Sequence, residues 1–249
     1  AKLQADYPIL VHPMDKTDNY IKRCVGIPGD VIEIKKSQLW VNGQPALVAP
    51  FMQTEYLVET DGRPLTEEFI QDSLGININE ATADFQFVEG QPNIFKLNLT
   101  ASAAASLKRL PNVKSVVLFE DQNVGYTFPN DITHFPWTAD NFGPIRIPKK
   151  GDQIQLNDST IELYRRVIEG YEQQKLTTQN GQYFINGKAT STYTIQENYY
   201  WMMGDNRHRS QDSRYWGFVP ETHIVGRAAL IWFSYSQSIR WNRLFNLIK

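Results

Sequence analysis

Between residues 20 and 34, apolar and polar positions interleave around a proline-glycine pair. Ile21, Val25 and Ile27 flank the polar Lys22-Arg23, and Val31, Ile32 and Ile34 resume the pattern after Pro28-Gly29. This interleaving predicts strand, turn, strand. Proline presets φ and glycine supplies φ > 0, so Pro28-Gly29 suits the centre of a type II turn. Gln38 to Gln44 reads as a hairpin with Asn42-Gly43 as a type I′ turn, and a similar block recurs at Gln182 to Lys188. The shortness of that match reads as two independent hairpins rather than a repeat.

The texture changes in between. Ile94 to Leu99 alternates like a strand, Ala101 to Leu110 is alanine-rich and helical up to Pro111, and Val113 to Phe119 is a further strand. A proline- and aromatic-rich loop covers Phe128 to Pro148. Ile161, Tyr164, Val167, Ile168 and Tyr171 recur at helical spacing, with Asp158 or Ser159 as N-cap. Strands return at Tyr193–Ile195, Tyr199–Met203 and Arg227–Tyr235. The expected fold is mainly β. An antiparallel core is drawn from residues 1–46 and 194–249, and residues 47–193 form a large mixed α/β inserted cap.

Charge and composition narrow the function classes. The 25 Lys and Arg nearly balance 27 Asp and Glu, for a net charge of −2, which gives no electrostatic footprint for nucleic acid. A lone cysteine, Cys24, excludes an internal disulfide and reads as core filler on an apolar-flanked strand. No run reaches the roughly 20 apolar residues of a membrane span, and residues 1–10 have no apolar leader region. His12, His134 and His223 stand apart, with no His-Glu-x-x-His pattern and no cysteine pair, so no metal site is expected. Asn98-Leu-Thr100 is a glycosylation sequon by pattern alone. Near the C-terminus, Trp241, Leu244, Phe245 and Ile248 share a helical face, with Arg240, Arg243 and Lys249 adding positive charge. That reads as a terminal helix docked on the core, with an interfacial membrane helix as the alternative.

Two segments carry candidate chemistry. The first, Tyr20-Ile-Lys-Arg-Cys-Val-Gly-Ile-Pro-Gly-Asp30, places a lysine on an amphipathic strand, where by base rate it is a solvated face residue. The second runs from Met203 to Pro220. It packs Asp205, Asn206, Arg207, Ser210, Asp212, Ser213 and Arg214 ahead of the apolar Tyr215-Trp-Gly-Phe-Val-Pro220. That tail pins the loop against a core, where its acids and arginines should pair. His208 reads as an exposed loop histidine.

Together the two segments, with Val225-Gly-Arg-Ala228 after them, resemble the lysine box and the most diagnostic box of bacterial type I signal peptidases. The matched segments cover about a quarter of the chain in the family's order. The resemblance implies a β core of signal peptidase type and a Ser–Lys dyad that removes signal peptides from exported preproteins without a cofactor. Lys22 would be the general base, neutral through burial, and Ser210 would orient its amine. Asp205, Arg207, Asp212 and Arg214 would form an ion-pair network behind the site, with Ser213 structural. Tyr20 and Ile21 would flank the substrate. Ile21, Val25 and the surroundings of Trp201 and Trp216 would wall the lysine.

The resemblance also implies a Ser-Met-x-Pro nucleophile segment and a membrane anchor ahead of the lysine box, holding the catalytic domain on the periplasmic face of the bacterial inner membrane. Neither appears, and residues 1–19 contain no serine. One truncation accounts for both, and the 249 residues are then expected to cut nothing by themselves. Two other readings compete. A membrane-tethered peptide-binding pseudo-peptidase would have no need of a neutral buried amine. A self-cleaving Ser–Lys repressor would carry a helix-turn-helix, which no motif here suggests.

Overall fold

The computed structural model describes residues 19–63, 65–66, 68–70, 74, 76, 84–236 and 238–248. Residues 1–18, on which the readings of residues 1–10 and most of 1–19 fall, lie outside them, as does Lys249. The chain divides into two units, Arg23–Gly226 and a second made of Ala1–Lys22 with Arg227–Lys249.

The larger unit is built from antiparallel strands. In chain order these are β1 (Arg23–Gly26), β2 (Val31–Lys35), β3 (Gln38–Val41), β4 (Gln44–Pro45), β5 (Gln53–Thr60), β6 (Phe85–Val88), β7 (Gln91–Thr100) and β8 (Val113–Leu118). Next come β9 (Phe142–Arg146), β10 (Gln153–Gln155), β11 (Leu176–Gln179), β12 (Gln182–Ile185), β13 (Lys188–Ala189), β14 (Thr192–Thr194), β15 (Tyr199–Met203) and β16 (Val219–Pro220). They assemble as β1-β15-β16, β4-β3-β2-β9, β6-β7-β5-β8, β11-β12-β13 and β10-β14. The mainly β, antiparallel expectation holds. Gly29 has φ +95° between β1 and β2, the conformation a Pro-Gly type II turn requires. Part of the expected loop from Phe128 to Pro148 is strand: β9 pairs with β2, and Phe142 and Ile145 drive it into the core.

Two hydrophobic clusters organise this unit. One gathers Ile32, Ile34, Phe142, Ile147, Ile168, Trp201 and Phe218 with their neighbours. The other gathers Val58, Phe95, Leu97, Leu99, Leu107 and Val116, from β5, β7, β8 and the helix α1 (Ala101–Leu107). Thr100 caps α1 by accepting from the Ala103 N–H, and the helix ends at Leu107, short of Pro111. A second helix, α2 (Asp158–Arg165), starts one residue earlier than the pattern suggested. Asn157 is its N-cap, in a capping box with Thr160, and a π-helical turn at Arg166–Tyr171 then buries Val167 and Ile168. Asn accepts at an N-cap as well as Asp or Ser, so spacing alone could not choose among the three neighbours.

The Asn-Gly recurrence runs further than a pair of independent hairpins. Residues 30–46 and 174–190 match position by position. Asn42-Gly43 (φ +51°, +75°) corresponds to Asn186-Gly187 (φ +52°, +79°), and Lys36-Ser37 (φ +48°, +64°) to Asn180-Gly181 (φ +50°, +74°). The Asn42 N–H donates to the Val31 carbonyl at 2.8 Å while its side-chain oxygen accepts from the Val31 N–H at 2.9 Å. Asn186 and Lys175 repeat this clamp at 2.8 and 2.9 Å. The Ala46 N–H to Leu39 bond recurs as Thr190 to Tyr183. Hydrophobic pattern could not reveal the match, because Lys36-Ser37 lacks the glycine that marks its counterpart.

In the second unit the expected strand Arg227–Tyr235 is reduced to β17 (Leu230–Ile231) and β18 (Tyr235–Ser236). They pair with β20 (Asn246–Leu247) and β19 (Ser238–Ile239), respectively. The expected terminal helix does not form. A single 3-10 turn, Trp241–Arg243, is followed by Phe245 at φ +59°. The N–H groups of Phe245 and Ile248 bond instead to the carbonyls of Ile231 and Ala229. A stretch this short and rich in Trp, Phe, Asn and Ile gains too little from helix propagation to offset nucleation. Trp241, Phe245 and Leu247 are exposed. Among the described residues no helix is long and apolar enough to cross a membrane.

Candidate active site

Strand β15 sets the geometry of the second box. Its alternation buries Tyr199, Trp201 and Met203 and leaves Tyr200 and Met202 half-buried, as period two requires. The chain then turns at Gly204, makes a 3-10 turn at Arg207–Arg209 and enters the short helix α3 (Ser213–Trp216). Gly217 ends α3 at φ +83°, ψ −149°, and Phe218 drops into the core, pinning the loop as its apolar tail predicts.

Asp212 and Arg214 close this loop on itself. Both are fully buried, and Arg214 Nε and an Nη reach the two Asp212 oxygens at 2.9 Å each. Asp212 also caps α3 through the Arg214 N–H and accepts from the Gly204 N–H at 3.1 Å. The Arg214 guanidinium donates on to the Arg207 carbonyl. Burial alone would lower the Arg214 pKa, but the Asp212 hydrogen bonds outweigh it and raise it above the ordinary value. A pair this dry fixes one loop conformation more than it adds net stability. Ser213 Oγ accepts from the Met202 N–H at 2.9 Å, tying α3 to β15.

The four expected partners do not form one network. Asp205 pairs with Arg23 at the start of β1, by two bonds of 2.8 and 2.7 Å, and this partner holds its carboxyl below the usual carboxylate range. Arg207 makes no ion pair among the described residues. Its Nε meets Met52 Sδ at 3.1 Å, one Nη has no hydrogen-bond partner among the described residues, and burial, with Arg214 nearby, lowers its pKa to about 10. Ser210 is buried, and its Oγ is also without a partner among the described residues.

The structure therefore brings together Asp205, Arg207, Ser210, Asp212, Ser213 and Arg214. Tyr20, Ile21 and Lys22 belong to the other unit. Lys22 immediately precedes β1, with Nζ 5.6 Å from the Tyr20 ring centroid. Tyr20 and Ile21 are exposed, and Trp201 is fully buried in the core. Cys24 is exposed rather than core filler, because β1 turns Gly26, not Cys24, toward Ile32 and Ile147. Among the described residues no group of three His, Cys, Asp or Glu side chains is placed to hold a metal ion.

His208 departs most from expectation: its side chain is 5% exposed. Nδ1 lies 3.0 Å from the Glu55 N–H and 2.9 Å from the Thr54 hydroxyl, and Nε2 lies 2.8 Å from Asp140 Oδ2. Sequence could not show this, because Thr54 and Asp140 are remote along the chain and neither belongs to a motif. Arg23, by contrast, was visible beside Lys22 as an unassigned cation.

The family model for signal peptidase, peptidase S26, matches residues 5–102 and 144–233. Signal peptidase I of Buchnera aphidicola subsp. Acyrthosiphon pisum (strain APS) is 26% identical over 248 residues, covering 97% of this chain and 59% of the relative. That of Haemophilus influenzae is 43% identical over 114 residues, 42% of this chain and 29% of the relative. That of Aquifex aeolicus is 55% identical over 42 residues, 17% of this chain and 16% of the relative. The chain spans just over half the length of the two Buchnera relatives that align along most of it. A match over both halves of the chain, including both candidate boxes, places it in a family: the chain belongs to the signal peptidases, peptidase family S26.

Proposed function

We propose that this chain supplies the lysine half of a Ser–Lys endopeptidase that removes signal peptides from exported preproteins. Lys22 is the general base. Its amine takes the proton of a serine hydroxyl as the oxygen attacks the scissile carbonyl carbon. The proton then passes to the leaving amine, and Lys22 next activates the water that hydrolyses the acyl-enzyme. Ser210 orients the lysine amine, and Asp205, Arg207, Asp212, Ser213 and Arg214 support the loop that carries it. Tyr20 and Ile21 flank an extended substrate aligned by main-chain hydrogen bonds. We assign the nucleophile to a serine outside these 249 residues, because no Ser-Met-x-Pro segment occurs within them, and the residues alone are then inactive. The bilayer contact is likewise assigned to an anchor outside them, with the catalytic domain on the periplasmic face of the inner membrane.

The observation that carries this reading is the buried Ser210 hydroxyl, without a partner among the described residues, inside a loop closed by Asp212 and Arg214. A buried hydroxyl without a partner costs about 1–3 kcal/mol, which a purely structural serine would not retain. The test is preprotein cleavage by a form carrying the serine segment. Lys22→Ala should lower kcat by about 100- to 10,000-fold, the usual worth of a general base. Unchanged cleavage would sink the assignment.

A further inference from the structure

The second box also holds a titratable side chain, 5% exposed, to which the proposed function gives no role: His208. The Glu55 N–H can only donate, and it points at His208 Nδ1 from 3.0 Å. Nδ1 must therefore carry a lone pair, which also receives the Thr54 hydroxyl. The ring proton then sits on Nε2 and is donated to Asp140 Oδ2 at 2.8 Å. Asp140 is itself fixed. Its Oδ1 accepts from the Ser37 hydroxyl at 2.8 Å, and its Oδ2 accepts from the Asp121 N–H at 2.7 Å.

The surroundings complete a closed shell. The Phe119 ring lies edge-on to the imidazole, with centroids 5.7 Å apart. Glu55 turns its carboxylate away to Lys96 at 3.0 Å and Arg209 at 3.7 Å, so it does not compete with Asp140 for the ring. One residue of the box thus touches β5 and, through Asp140, the turn that receives Ser37. A parallel bridge between Gln53 and Asn206, with the Gln53 N–H donating to the Asp205 carbonyl at 2.9 Å, joins the same two segments. Ser210 is two residues beyond His208.

We propose that His208 is a positioning residue: held as its Nε2–H tautomer between Asp140 and β5, it sets the height of the Ser210 hydroxyl in the box. The inference rests on the role given to Ser210 above. It assigns the histidine no proton transfer and no contact with substrate.

Two measurements test it. The first needs only this chain. Nitrogen NMR of His208 should show a protonated Nε2 and an unprotonated Nδ1, unchanged in Asp140→Asn. The asparagine oxygen can replace Oδ2 while its amide faces the Ser37 hydroxyl. An Nδ1–H tautomer overturns the proposal. The second uses the cleavage-competent form. Asp140→Leu and His208→Phe should lower kcat by about 10-fold or more with KM nearly unchanged, since a misplacement of about 1 Å can cost roughly 100-fold. Asp140→Asn should stay within a few-fold of wild type. Wild-type kcat in folded Asp140→Leu, or equal losses in Asp140→Leu and Asp140→Asn, overturns the proposal. If either large substitution fails to fold, the tautomer and Asp140→Asn still decide. Loss of the Lys22 assignment would appear separately, as unchanged cleavage by Lys22→Ala, and would leave the tautomer result standing.

Discussion

Gly217 ends the helix that closes the second box, and replacing it with alanine should expose how tightly that loop is built. At φ +83° and ψ −149° its backbone occupies a region essentially restricted to glycine, where an L-residue costs about 1–3 kcal/mol. A Cβ at this position would also lie 2.6 Å from the Phe128 ring. That ring cannot swing away. It is buried, with its centroid 5.5 Å from that of Phe218 and 6.3 Å from that of Trp201. Overpacking of this kind costs typically about 1–3 kcal/mol. Gly217→Ala should therefore destabilise the larger unit by about 2–6 kcal/mol. At about 2–4 °C per kcal/mol for a chain of this size, Tm should fall by roughly 4–24 °C. The assay is urea unfolding followed by tryptophan fluorescence, because Trp201 and Trp216 flank the change. Phe128→Leu in the same background should recover the clash but not the backbone strain, so the double variant should cost less than the sum of the singles. A loss under about 1 kcal/mol, or strict additivity, would refute this account.

Arg214→Ala should cost about 3–5 kcal/mol by stranding the fully buried Asp212 carboxylate, whereas Asp212→Asn with Arg214→Met should cost less than the single change. Urea midpoints of the two variants against wild type decide it, and an equal cost for the single and double variants would contradict it. Burial pushes the Asp140 carboxyl up, but hydrogen bonds from His208, the Asp121 N–H and Ser37 outweigh that and hold it below its usual range. Its folded pKa thus lies below its unfolded one. The stabilisation is complete above about pH 4 and is lost as pH falls through the folded value. Asp140→Asn should flatten the acid limb of the stability curve below about pH 4, and an unchanged limb would show that other carboxylates control it.

The parts of the fold legible in sequence were those set by near neighbours. Pro28-Gly29, Asn42-Gly43 and the alternation of Tyr199–Met203 each fix their own backbone, and each appears where its residues place it. The second box was legible as a unit because its apolar tail and its charges lie within one short run. What escaped depended on residues remote in sequence. His208 reads as an exposed loop residue until Asp140 and Thr54 arrive from other parts of the chain. Asp205 has several arginines within reach of the eye, and only the pairing of β1 with β15 selects Arg23. At the C-terminus, helical spacing misled because the competing partners, the carbonyls of Ala229 and Ile231, leave no trace in a periodicity.

The twin segments 30–46 and 174–190 carry a consequence of another kind. One copy turns through Asn180-Gly181, residues that accept positive φ at little cost, while the other forces Lys36 and Ser37 into the same shape. The second turn leans on Asp140 and Asn141, which receive the Lys36 and Ser37 N–H groups and the Ser37 hydroxyl. The molecule thus contains its own control experiment. The same turn occurs once with open space around Gly181 and once seated on Asp140 and Asn141, and the difference between the turn residues records what a docking partner can make a backbone tolerate.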